Sequence, residues 1–175
     1  MRIHSALTSV VTGMALASLQ LVCAPAQAED IKRIGSLNPN SPISQAVTVP
    51  ANTRLTFVSG MLAEVSNPNA PKNSIESYGD TRTQTISILR RIEKLLANEG
   101  LGLGDVVKVN VFLVGDPKLG GKMDFAGLNA AYSQFFGSAT QPHKAARATV
   151  QVAALAMPGG LVEIEMIAAK VVTAP

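Results

Sequence analysis

The chain has 175 residues, 47% of them apolar, a formal charge of only +3 and a single cysteine. That length gives one ordinary domain with enough material to bury a core. So small a charge argues against a nucleic-acid groove or a membrane-binding patch, and one cysteine excludes an internal disulfide framework.

The first 28 residues do not read as part of the fold. Arg2 precedes an apolar run from Ala6 to Cys23, and the segment ends in Ala26-Gln27-Ala28. A basic start, an apolar middle and a small-x-small ending form a secretory signal, with cleavage expected after Ala28. A membrane anchor is the competing reading, but the Ser, Thr, Gly and Gln content and the A-x-A ending favour cleavage. Residues 29–175 are then a single mature domain, periplasmic or secreted. With Arg2 gone, 14 Lys+Arg stand against 12 Asp+Glu, a net +2. Cys23 leaves with the signal, so the mature chain has no thiolate nucleophile and no cysteine-based metal site.

The mature start, EDIKRIGSLNPNSPISQ, is polar, carries Pro39 and Pro42, and reads as a loosely held extended lead-in. QAVTVP and TRLTFVSGML alternate apolar and polar residues around a short ANT link, which predicts two strands joined as a hairpin. AEVSNPNAPKNSIESYGD is a long polar loop of the kind that is usually functional or mobile, and solvent exposure is expected for its Tyr78. From Asp80 the period changes. Thr85, Ile88, Leu89, Ile92, Leu95 and Leu96 recur at helical spacing, with Asp80 or Thr81 to cap the start and Gly100 the end. DVVKVNVFLVGD alternates Val107, Val109, Val111 and Leu113 on one face of a strand. MDFAGLNAAYSQFFG predicts a second helix from the spacing of Phe125, Leu128, Tyr132 and Phe135. KAARATVQVAAL and LVEIEMIAAKVV complete the chain as strands around an AMPGG turn. The order β-β-α-β-α-β-β predicts an α+β domain with one mixed sheet and two helices on one face.

Common catalytic signatures are missing from the sequence: it has no P-loop, no HExxH, no GxSxG and no GxGxxG opening a helix. Only His143 remains after cleavage, in a turn beside Pro142 where an ordinary solvated role is expected. No metal and no cofactor are predicted. The chemistry-bearing candidates lie in the last two strands. Arg147, Thr149 and Gln151 share one face of their strand, and Ala148, Val150 and Val152 share the other, which is expected to pack on the helices. Glu163 and Glu165 share one face of the last strand. Arg147 either pairs with one of these glutamates or presents its planar fork to a ligand carboxylate, and the pattern leaves both open.

The segments FVSG, LLANEGLGLGDVVKVNVFLVGD, FAGLNAAYSQFFG and ARATVQVAALAMPGGLVEIEMIAAK, in this order, resemble the RidA (YjgF-like) family of reactive-intermediate deaminases. The resemblance covers nearly all of the mature chain. It implies a chorismate-mutase-like fold, a homotrimer with three clefts between subunits, and hydrolysis of 2-imino or enamine acids to 2-oxo acids and ammonia. It implies roles as well: Arg147 grips the substrate carboxylate and Glu163 holds the attacking water. Asn129 and Tyr132 belong to the family's helix motif, Ser59 and Gly60 sit at the end of the strand that borders the cleft, and Thr149 is a further substrate-binding candidate. Two positions depart from the pattern. Ile43 stands where a tyrosine is common, and Thr149 where a cysteine is common. The competing readings are a non-catalytic binder of small carboxylates or a protein-interaction member of the same fold. Nuclease or translation-inhibitor activity, a label sometimes attached to relatives, fits poorly with a net charge of +2.

Overall fold

The computed structural model describes residues 29–172. The expected signal segment, residues 1–28, lies outside them. Three strands open the chain: β1 (Lys32–Gly35), β2 (Ser44–Thr48) and β3 (Thr53–Leu62). A short helix α1 (Ile75–Tyr78) precedes the long α2 (Thr81–Asn98). Then follow β4 (Val106–Val114), α3 (Phe125–Tyr132), β5 (Ala146–Val152) and β6 (Val162–Val171). All six strands join one sheet in the order β1-β2-β5-β4-β6-β3. The β2–β5 and β4–β5 pairs are parallel and the others antiparallel, so the sheet is mixed.

The expected α+β architecture is present, with α2 and α3 as the main helices, packed against each other. Asp80 caps α2 by accepting a hydrogen bond from Thr83 N at 2.8 Å, and that bond holds its carboxyl below the ordinary range. At the other end Gly100 takes φ 67°, and Leu101 N donates to Leu96 O at 2.9 Å. This is the left-handed stop for which glycine is suited. Ile88, Leu89, Ile92 and Leu96 are fully buried, whereas Leu95 is 37% exposed and lies off the core stripe. The alternating valines of β4 behave as predicted: Val107, Val109, Val111 and Leu113 are all buried.

Two expectations need correction. The predicted hairpin between QAVTVP and TRLTFVSGML does not form. β2 pairs with β1 and β5, while β3 lies at the far edge of the sheet against β6. The hairpin belongs to the polar lead-in instead, where Lys32 to Gly35 run antiparallel to Thr48 to Ser44. Polar composition hid this strand because an edge strand needs little apolar content and commonly carries charge. What holds it is Arg33. Its guanidinium donates to Val106 O (2.9 Å), Lys144 O (2.8 Å) and Gly104 O (2.8 Å), tying the lead-in to the starts of β4 and β5. Burial lowers its pKa, an effect that Asp105 opposes, and it remains a cation. Arg33→Met is therefore expected to cost about 2–3 kcal/mol, since three charge-assisted bonds to carbonyls are lost together. Urea denaturation of the purified chain measures it, and a change under 0.5 kcal/mol, within the ordinary scatter of surface substitutions, would refute the clamp.

The second correction concerns the long loop. Tyr78 is buried, not solvated, and its hydroxyl donates to Asn73 Oδ1 at 3.2 Å. The loop is closed on itself as well: the backbone N–H groups of Ser66 and Asn67 both donate to Ser77 O. Fully buried Gln84 fastens its end to the β5–β6 turn, donating to Gly79 O and Gly159 O and accepting from Leu161 N.

Candidate functional site

Strand register decides which way each candidate points. On β5, Arg147 is the partner of Val109 and Thr149 that of Val111, both buried beneath the helices. Neighbours in register project to the same side of a sheet. Arg147, Thr149 and Gln151 thus occupy the helix side. Ala148 and Val150 occupy the open side, where Val150 is 48% exposed. The expectation that Ala148, Val150 and Val152 pack on the helices is overturned. The apolar face of β5 is the one this chain leaves uncovered.

Asn129 and Tyr132 of α3 receive the arginine. Arg147 Nη2 donates to Asn129 Oδ1 at 2.7 Å. The guanidinium carbon lies 4.4 Å from the centre of the Tyr132 ring and 5.8 Å from that of Phe125, so the cation sits against two aromatic faces. Tyr132 is itself stacked on Phe136, with centroids 4.5 Å apart. Arg147 Nε and Nη1 are buried and have no hydrogen-bond partner among the described residues, and the same holds for Thr149 Oγ1 and the Tyr132 hydroxyl. Burial lowers the arginine's pKa and raises that of the phenol, leaving a guanidinium beside a neutral tyrosine. A cation so enclosed is normally neutralised by a carboxylate. The one ion pair among the described residues, Arg91–Glu64 at 3.3 Å, lies elsewhere.

The glutamates cannot supply that carboxylate within one chain. Glu163 is in register with Phe112 and Glu165 with Asn110, on the open side of the sheet. β4 lies between β5 and β6, so Arg147 and Glu163 are separated by two strand spacings across the sheet, roughly 10 Å, and by three residues along it, and they point away from each other. The structural ion pair left open by the sequence is thereby excluded. Glu165 accepts from Asn110 Nδ2 at 2.7 Å. It borders a cavity of about 230 Å³ shared with Phe57, Ser59, Lys108, Asn110 and Ile167. Glu163 lies instead over Gly60. The β3–β6 register breaks between Val58 and Met61, making Ser59 and Gly60 the bulged residues. A Cβ added at Gly60 would fall 1.9 Å from Glu163 Oε1, so the close approach of this carboxylate requires glycine.

The seven predicted site residues therefore form two groups on opposite faces. Arg147, Asn129, Tyr132 and Thr149 gather on the helix side, and Glu163, Gly60 and Ser59 on the open side. Phe125 and Asn110 were not singled out from the sequence as site residues. Phe125 sits one helical turn before Asn129, the spacing that places both over the same strand. Asn110 alternates with the buried valines of β4, and its partner Glu165 could be found only from register.

The model of the family described as endoribonuclease L-PSP matches residues 34–170. A RutC family protein of Pyrococcus horikoshii is 34% identical over 132 residues, which is 75% of this chain and 90% of that protein. The chain belongs to the RidA (YjgF-like) family. Among solved structures, a putative endoribonuclease of Thermotoga maritima shares 32% identity at TM-score 0.50, over 75% of this chain and 88% of that one. A Rid-family protein of Yersinia pestis shares 25% identity at TM-score 0.58, over 79% and 96%. Within this RidA-family chain, Thr149 offers a direct check on the arginine's surroundings. Thr149→Val removes a buried hydroxyl that has no partner and keeps the side-chain shape. Thermal unfolding is expected to show unchanged or raised stability, by up to about 1 kcal/mol, and a comparable loss would mean that the hydroxyl is satisfied.

Proposed function

We propose that this protein hydrolyses 2-imino and enamine acids to 2-oxo acids and ammonia, in clefts formed between copies of a homotrimer. The observation that carries the reading is Arg147: a largely buried guanidinium with two donor atoms that have no partner, fixed by Asn129 and unpaired with any carboxylate among the described residues. Such a group is suited to a carboxylate arriving from outside, and its planar fork orients what it binds. The open sheet face supports assembly. Phe57 is 72% exposed there and Val150 48%, on a face that no helix among the described residues covers. A second copy that met that face with its own Arg147 side would cover them and bring the Glu163 of one copy toward the Arg147 of the other, which one chain alone cannot do.

In that cleft Arg147 binds the substrate carboxylate and so fixes the adjacent C=N carbon. Glu163 of the facing copy holds a water and takes its proton as the water oxygen bonds to that carbon. The C=N double bond becomes a C–N single bond in a tetrahedral carbinolamine as Glu163 returns that proton to the nitrogen. Collapse to the C=O group then breaks the C–N bond: the Glu163 carboxylate takes the hydroxyl proton and passes it to the leaving nitrogen, which departs as ammonia. No step needs a metal or a cofactor. Positioning supplies most of the acceleration because imines already react with water.

The test uses an amino-acid oxidase to generate the imine in the presence of semicarbazide, which traps it. The protein is expected to lower the rate of semicarbazone formation, and an unchanged rate across several amino acids would sink the proposal. The separation of Arg147 and Glu163 within one chain also favours a second reading, a carboxylate-binding protein without turnover. Under that reading pyruvate raises the melting temperature while every imine is trapped at the uncatalysed rate.

A further inference from the structure

We infer that Gln151 is a positioning residue for the Arg147 site, acting through the segment that leads into α3. The inference rests on the reading of Arg147 as a carboxylate grip.

Gln151 lies four residues beyond Arg147 on the same face of β5, roughly 13 Å along the strand. Its amide is used at both ends. Nε2 donates to Gly121 O at 2.9 Å, and Oε1 accepts from Met123 N at 2.9 Å. Both partners are backbone groups of the connection between β4 and α3. That connection is tightly built: Asp116 N donates to Lys122 O, and Asp116 O accepts from Gly121 N, each at 2.9 Å. It closes so near the end of β4 that a Cβ at Gly115 would lie 2.1 Å from Gly121 O and 3.0 Å from Gln151 Nε2. Immediately after Met123, Asp124 caps α3 by accepting from Gly127 N at 2.8 Å.

β5 therefore holds α3 at two places, the Gln151 amide at its entry and the Arg147 guanidinium at Asn129. The second contact depends on the first. Among the described residues Asn129 Oδ1 is the only hydrogen-bond acceptor the arginine has, and its place is set by where the helix begins. Releasing the entry lets the first turn of α3, with Phe125, drift from the sheet. The guanidinium then loses the orientation that presents its free N–H groups to a ligand. A carboxamide is specifically needed, because one end must donate to a carbonyl and the other accept from an N–H. Gln151 is exposed, so water replaces its bonds in a variant and the fold persists.

The experiment uses the full mature chain, pyruvate as the probe and two readouts: its dissociation constant, and the Nε–Hε resonance of Arg147 in NMR spectra. Gln151→Ala is expected to weaken pyruvate binding about fivefold and to shift the resonance, with no further weakening when combined with Asn129→Ala. Gln151→Glu keeps the acceptor and loses the donor, so it should move both readouts less and in the same direction. Wild-type pyruvate affinity in Gln151→Ala, or the same fivefold loss on the Asn129→Ala background, would overturn the inference while leaving the carboxylate grip intact. If the unaltered protein binds no pyruvate, the grip itself falls. The resonance then decides on Gln151 alone: a shift supports positioning and an unmoved signal refutes it.

Discussion

Arg147→Ala is expected to lower kcat/KM for imine hydrolysis by about 10²–10³-fold, a loss of roughly 3–4 kcal/mol of transition-state stabilisation. The magnitude follows from what the guanidinium does. A forked pair of charge-assisted bonds in an enclosed site is lost, and with it the orientation of the reacting carbon. Arg147→Lys should fall nearly as far, because an ammonium cannot fork and cannot hold Asn129 and a carboxylate in one plane. The same substitutions should leave stability unchanged or raise it. In the folded chain the arginine is largely desolvated, Nε and Nη1 lack partners, and its favourable contacts are one hydrogen bond and two aromatic faces. Deleting a buried unpaired cation relieves a penalty, whereas deleting one member of a buried ion pair costs several kcal/mol. A collapse of activity with an unchanged melting temperature therefore identifies a ligand-binding arginine. Loss of both together would identify a structural one.

That opposition between stability and function also explains which parts of the molecule were legible in the sequence. α2 and β4 were readable because their apolar residues face the chain's own core, so the 3.6- and 2-residue periods report burial directly. β5 inverts the rule. Its polar set, Arg147, Thr149 and Gln151, turns inward to build a site, and its apolar set, Ala148 and Val150, turns toward the uncovered face of the sheet. Hydrophobicity alone then names the wrong face, since under the proposed assembly it records burial between copies rather than within one chain. Alternation showed correctly that Arg147, Thr149 and Gln151 lie together, and only register against Val109 and Val111 showed where. The β1–β2 hairpin was hidden for another reason. Its anchor is one long side chain, Arg33, reaching carbonyls 71, 73 and 111 residues away. No local pattern carries such a contact. Tyr78 is similar: a polar loop usually exposes its tyrosine, and only closure onto Ser77 O and Asn73 buries this one.

Glu163→Gln separates the two halves of the proposed cleft. The amide has the carboxylate's size and cannot accept a proton from water, so kcat is expected to fall about 10²–10³-fold, within the usual worth of a positioned general base. Pyruvate binding should survive, because Glu163 lies across the sheet from the groups that hold Arg147 in its own chain. Arg147→Ala, by contrast, should lose binding and turnover together. Gly60→Ala tests the same carboxylate through its support. The added methyl would fall 1.9 Å from Glu163 Oε1, and the end of a flexible side chain yields more easily than the β3 backbone. The fold should persist while the carboxylate is pushed off the bulge, giving a fall in kcat of about 10–100-fold, since ångström-scale misplacement of a catalytic group is that costly. If Gly60→Ala keeps the wild-type rate while Glu163→Gln does not, the bulge does not aim the carboxylate. If both keep it, the attacking water is held by some other group, and Arg147 is left as a binding residue without a catalytic partner.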